Sequence, residues 1–182
     1  MQRQVLCQQQ QMRPPTLTYP SGRISVSITK MDYEMLSPGR WLNDNIVEFY
    51  GLWLRDRLDK SLRDHVGIWS SFVYAQICQQ RWNILHRSAR RTDLFNMSAL
   101  LLHICTRKHC LLAIVRHSGV NQGKSGGIYV VDSKKNVAPG VEIIHSIREF
   151  LSRQYQSRFK AELDFSESHL PATVVQTPQR DT

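Results

Sequence analysis

Apolar and polar residues alternate from Ile24 to Thr29, with Ile24, Val26 and Ile28 separated by Ser25 and Ser27. This is the period-two pattern of a half-buried strand. Order is expected to begin there, after a flexible Gln-rich and Pro-containing leader over residues 1–22. Thr29, with Asp32 three positions on, is a capping-box variant for a brief helical turn, and Ser37-Pro38-Gly39 breaks the chain. The period then lengthens. Ile46, Val47, Phe49, Tyr50, Trp53, Leu54 and Leu58 share one broad helical face, and Asn43 or Asp44 stands at its N-cap. Residues 69–83 predict a second helix, capped near Ser70 or Ser71. Ala99–Cys105, His109–Arg116 and Gly127–Asp132 are apolar runs that read as strands, the last rich in β-branched residues. Ser118–Gly126 is a Gly-containing loop suited to a hairpin turn. Ile144, Ile147, Leu151, Tyr155 and Phe159 mark a basic amphipathic helix ending near Leu163, followed by an extended piece at Ala172–Val175. Helices, then strands, then a helix predict an α+β fold with a largely antiparallel sheet.

Composition narrows the class. At 182 residues, with 41% hydrophobic and 21% charged, the chain has room for one ordinary globular domain. Its longest nearly apolar stretch, Ala99–Cys105, is interrupted by His103 and far too short to cross a bilayer. Lys and Arg total 24 against 15 Asp and Glu, a net charge of +9 that favours acidic partners. The cations are scattered, as at Arg87, Arg90, Arg107 and Lys134, without a nucleic-acid motif. Specific nucleic-acid binding is therefore not expected; the basic surface serves solubility or docks an acidic protein. Cys7, Cys78, Cys105 and Cys110 form no CxxC pair and no metal-ligand spacing, so no metal site is expected of them. Met1–Met12 holds six glutamines and no signal-peptide core, so the thiols are expected to be reduced.

The candidate chemistry is a pair. His109 opens one apolar run and Asp132 closes the next, and the point midway between them falls inside the proposed loop. In an antiparallel hairpin the two residues then face each other, or nearly so, with Cα atoms roughly 5 Å apart. An aspartate beside a histidine fixes the imidazole tautomer and stabilises the imidazolium, as a general base requires. Taken singly, His109 reads equally as a surface residue and Asp132-Ser133 as a turn. The cysteines are poor partners for such a base. Cys110 follows His109 and points to the opposite face of a strand, Cys105 sits in a core-like run, and Cys7 lies in the leader. Cys78 has no evident positive cluster except the later Arg81.

Leu36-Ser37-Pro38-Gly39-Arg40-Trp41-Leu42-Asn43-Asp44-Asn45-Ile46-Val47-Glu48-Phe49-Tyr50 closely resembles the "L-x-x-G-x-W-L-N-D-x-I-I-x-F-Y" segment of the SUMO-specific cysteine proteases, which act on ubiquitin-like modifiers and belong to the papain-like clan. The likeness continues in order through Trp69-Ser70-Ser71-Phe72-Val73-Tyr74, Thr92-Asp93-Leu94-Phe95, the strand after His109, and Tyr129-Val130-Val131-Asp132-Ser133. It spans about residues 24–182.

The resemblance implies a papain-like α+β protease domain over residues 23–182, a mainly antiparallel central sheet flanked by helices, C-terminally incomplete. It implies that His109 is the general base and Asp132 its orienter, in a mechanism that needs no metal or organic cofactor. Gln179, in Pro178-Gln179-Arg180-Asp181, would lend its side-chain amide to the oxyanion hole, with Gln176 the less favoured alternative. Trp41, Asn43 and Asp44 would line the channel for the modifier's C-terminal Gly-Gly, although Cys110 stands where the family has a second clamping tryptophan. The nucleophilic cysteine would fall about three residues past Thr182, so the chain is expected to be inactive alone. The implied partner is SUMO or a related modifier and its conjugates, met as a monomer without a membrane, in the nucleus or alternatively the cytoplasm. Two rivals are a modifier-binding pseudo-protease or decoy and a basic nucleic-acid-associated domain.

Overall fold

The computed structural model describes residues 17–21, 24–90, 92–106, 109–116, 126–134 and 139–178. The chain forms two compact units, Met1–Trp53 and Leu54–Thr182.

In the first unit, strands β1 (Leu17–Ser21) and β2 (Ile24–Ile28) pair antiparallel. Regular structure therefore begins earlier than the alternation at Ile24 suggests, and the end of the expected leader is a strand. Residues 1–16 lie outside the described residues. Val26 and Ile28 are buried while Ser25 and Ser27 are exposed, and with Ile46 and Leu52 they make a small core. Tyr19 and Phe49 pack against it edge to face, ring centroids 5.2 Å apart.

Helix α1 (Lys30–Glu34) opens on the capping box legible in the sequence. Thr29 Oγ1 accepts the Asp32 N–H at 3.2 Å, and Asp32 accepts the Thr29 N–H at 2.7 Å. Helix α2 (Asp44–Asp56) is capped by Asn43, whose Oδ1 accepts the Ile46 N–H at 3.1 Å. The two caps are joined. The amides of Asn43 and Asn45 donate to Asp32 Oδ1 at 2.5 Å and 3.2 Å. Asp32 is only 5% exposed. Burial pushes its carboxyl up, but the hydrogen bonds from Thr29, Asn43 and Asn45 outweigh it and hold Asp32 below its ordinary 3.8.

A carboxyl depressed on folding adds stability that is present above its unfolded value and lost as pH falls through its folded one. Asp32→Asn is accordingly expected to destabilise the chain by about 1–3 kcal/mol at neutral pH, because the hydrogen bonds to a buried charge are weakened. Urea unfolding at pH 7 and again below pH 3 checks this: the gap between variant and wild type should shrink in acid. An equal gap at both would assign the loss to shape alone.

The second unit is built on a five-stranded sheet. After the short α3 (Lys60–Arg63), β3 (Val66–Trp69), β4 (Ala99–Thr106), β5 (His109–Arg116), β6 (Gly127–Asp132) and β7 (Ala172–Gln176) lie side by side in chain order. The central pairings β4–β5 and β5–β6 are antiparallel, whereas β3–β4 and β6–β7 are parallel. The α+β class stands, with a mixed sheet whose antiparallel centre has parallel flanks. Parallel neighbours require crossovers. One is made by α4 (Ser71–Cys78) and α5 (Trp82–Ala89), the other by α6 (Pro139–Phe159). Both crossovers step the same way along the sheet between strands of the same direction, so right-handedness puts all three helices on one face.

The single helix predicted over 69–83 is thus three pieces: Trp69 closes β3, and α4 and α5 follow. Ser70 caps α4 by accepting the Phe72 N–H at 3.4 Å. Gln80, at φ 53°, takes the left-handed conformation that separates α4 from α5. Helix α6 buries Ile143, Ile147, Phe150 and Leu151 against Leu102, Ile104, Ala113, Ile128 and Val130. Near its start Gly140 admits Val174 of β7; a Cβ there would meet Val174 Cγ2 at 2.8 Å. This close approach seats β7 beside β6.

Candidate active site

Strand β5 alternates strictly. Leu111, Ala113 and Val115 are buried on the helix-covered face, and His109 shares their parity. On β6, Asp132 continues the buried set of Ile128 and Val130. Both candidate side chains therefore belong to the same face, at the sheet end where β5 begins and β6 finishes. Of the two expected arrangements, facing or nearly facing, the register gives the second, offset by two residues. Leu112 pairs with Val131, which sets Asp132 across from Leu111 and diagonal to His109. A diagonal neighbour is within reach of long side chains. Here His109 Nε2 lies 2.5 Å from Asp132 Oδ1.

The pair is graded in exposure: the Asp132 side chain is 4% exposed and that of His109 16%. The same Oδ1 accepts the Lys134 N–H at 2.8 Å. Backbone bonds hold Asp132 from the other side, its carbonyl accepting the Thr177 N–H at 2.8 Å and the Gln176 amide at 3.2 Å. The Asp132 carboxylate can only accept, so it fixes the Nε2–H tautomer and leaves Nδ1 as the basic nitrogen. A carboxylate with two donors and a pinned backbone is a rigid orienter for that base.

Of the other sequence-predicted residues, Trp41 is 72% exposed and precedes α2, so it does not pack into a core. Asn43 and Asp44 open α2, Asn43 as its cap. Gln176 lies in β7, paired with Asp132, and its amide is engaged there. Gln179 lies outside the described residues.

The cysteines require a correction. Cys105 and Cys110 pair across β4 and β5 and are joined by a disulfide, so these two thiols are not reduced. Cys105 is no core residue either: it is half-buried on the face away from the helices. Cys78 is an exposed free thiol on α4, hydrogen-bonded to Tyr74, which burial first and then Cys78 push above the usual tyrosine range. Cys7 is outside the described residues. Among the described residues no thiol faces the open nitrogen of His109.

Residues 40–181 match the Ulp1 protease family, C-terminal catalytic domain. The chain belongs to that family. Its Ulp1-family kinship extends to ubiquitin-like-specific protease 2 of Schizosaccharomyces pombe, 33% identical over 110 residues, which are 54% of this chain and 17% of that protein. Sentrin-specific protease 6 of Mus musculus is 28% identical over 121 residues, 58% of this chain and 11% of that one. The chain thus matches only a small part of these relatives' length. Among solved structures, a de-sumoylating protease superposes with a TM-score of 0.75 at 22% identity, covering 92% of this chain and 67% of that one. The C-terminal Ulp1 protease domain, solved in complex with Smt3, the yeast ortholog of SUMO, gives 0.62 at 21% identity, covering 92% and 70%. These structures share the fold. Among the described residues no helix is long and apolar enough to cross a membrane.

Proposed function

We propose that this Ulp1-family chain supplies the base of a cysteine protease that releases SUMO-class modifiers from lysine side chains. The observation that carries the reading is the contact of His109 Nε2 with Asp132 Oδ1, which leaves Nδ1 open to a thiol. Nδ1 takes the proton of the nucleophilic cysteine, and the thiolate attacks the carbonyl of the modifier's last glycine. His109 returns the proton to the leaving lysine amine, and water, activated by the same nitrogen, hydrolyses the acyl-enzyme. Gln179 offers its amide to the oxyanion, a role favoured by β7, which runs beside Asp132 towards it. The thiolate is supplied by a cysteine other than those described.

Trp41, Asn43 and Asp44 bind the modifier's C-terminal segment. The exposure of Trp41 supports this, because an aromatic ring left in water gains most from being covered by a partner.

The 182-residue chain should bind SUMO saturably and release no fluorophore from a fluorogenic SUMO substrate. Trp41→Ala should weaken binding at least ~10-fold while changing stability by less than about 0.5 kcal/mol. Turnover by this chain that is lost on replacing Cys78 or Cys105 would overturn the proposal. Equal loss of folding and binding in Trp41→Ala would assign that residue a packing role instead.

A further inference from the structure

The face of the sheet turned away from α4–α6 carries three groups that the His109 base does not use. His103 and Cys105 stand two apart on β4, and Cys110 stands across from Cys105 on β5. Cys105 and Cys110 are bonded, and His103 Nε2 lies 3.2 Å from Cys105 Sγ. The two sulfurs differ in access, Cys110 being exposed and Cys105 half-buried beside the imidazole. We infer that Cys105 and Cys110 are a reversible thiol–disulfide site, opened and closed by small thiols and disulfides of the glutathione class, with His103 as the acid–base partner of the Cys105 sulfur.

The geometry sets the order of events. An incoming thiolate reaches the exposed Cys110 Sγ, the S–S bond breaks, and its electron pair moves onto Cys105 Sγ, where the His103 imidazolium delivers a proton. A second small thiolate attacks the external sulfur of the mixed disulfide, forming the small disulfide and releasing Cys110 as a thiolate that takes up a proton. The balance is one protein disulfide and two small thiols giving one protein dithiol and one small disulfide. Closing runs in reverse: His103 removes the Cys105 proton, and the thiolate attacks the mixed disulfide at Cys110 and expels the small thiol. Stabilising the leaving thiolate speeds exchange.

The bond is a poor global staple, because it spans a sequence separation of five between residues already held in register. So short a loop removes little freedom from the unfolded chain. Its action is local. The next pair in the ladder is Thr106 with His109, so closing the bond pins the backbone that carries the base. The inference does not depend on the protease reading.

The test equilibrates the chain in graded ratios of reduced to oxidised glutathione and counts thiols by alkylation and mass spectrometry. Cys105 and Cys110 should lose and regain label together, while Cys78 stays labelled throughout. His103→Gln should slow opening by dithiothreitol about 10-fold at unchanged far-ultraviolet dichroism. Two single-cysteine variants provide the same comparison with His103 in place. Cys105 in Cys110→Ser should react with a small disulfide faster than Cys110 in Cys105→Ser, although exposure alone predicts the opposite order. Independent labelling of the two sulfurs, thiols at every ratio, or the exposure order of reactivity would overturn the inference. So would stoichiometric Zn²⁺ that blocks both from labelling and prevents closure, which would make the cluster a metal site.

Discussion

Asp132→Asn is expected to lower turnover of a modifier substrate by roughly 10²- to 10⁴-fold, measured in a form of the chain extended to carry a nucleophilic thiol. The asparagine keeps the shape of the side chain and its place across from Leu111. What it loses is the charge that steadies the imidazolium and the exclusive acceptor character that holds His109 in the Nε2–H tautomer. An asparagine NH₂ facing Nε2 reverses that hydrogen bond and puts the proton on Nδ1, where the thiol needs a lone pair. The loss should fall on kcat, with KM little changed, since neither residue binds the bulk of the modifier. Thermal unfolding separates this from a folding defect: the asparagine variant should stay within about 1 kcal/mol of wild type. Turnover within a few-fold of wild type would remove Asp132 from the base.

Phe150→Ala is the largest stability effect expected of a single core residue here. Phe150 is fully buried on α6, and its ring meets Trp69 of β3 edge to face with centroids 5.4 Å apart. It therefore ties the crossover helix to the far edge of the sheet. Removing the ring forfeits its transfer energy and leaves a cavity that rigid strands close poorly, for a cost of about 3–5 kcal/mol. Chemical denaturation should show the midpoint falling at nearly constant slope. Phe150→Leu, which fills most of the space, should recover much of the loss. A deficit below about 1 kcal/mol would mean that the helix and sheet edge repack freely.

Each part of the molecule was legible in proportion to how local its cause is. The face of α6 follows from 3.6-residue periodicity, and the bounds of β5 and β6 from continuous apolar runs. The face of α2 follows only in part: Ile46 is buried as expected, but so is Leu52 from outside the predicted set, while Tyr50 and Leu54 are exposed. β3 was not legible, because Val66–Trp69 is only four residues and its Trp69 reads equally well as the start of a helix. It becomes a strand by pairing with β4, some thirty residues on. The left-handed Gln80 is likewise invisible, since glutamine carries no sign of that conformation. The His109–Asp132 pairing was visible as an equidistance about a turn, but the register that makes it diagonal comes from the ladder. The same equidistance relates Cys105 and Cys110 about residues 107–108, a signal as plain as the first that is visible only when the cysteines are taken as a pair.

By itself, then, the sequence determined the face of α6, the central strands, the capping box at Thr29 and the candidate pair of His109 and Asp132, because each depends on neighbours within a few turns or on a motif. Tertiary structure alone decided the parallel flanks of the sheet, the joining of two helix caps through Asp32, the sulfur bridge behind His109 and the nitrogen left open on its ring. Those features depend on which distant backbone groups pair, and pairing is chosen by burying one face of the sheet under helices rather than by any residue's local preference.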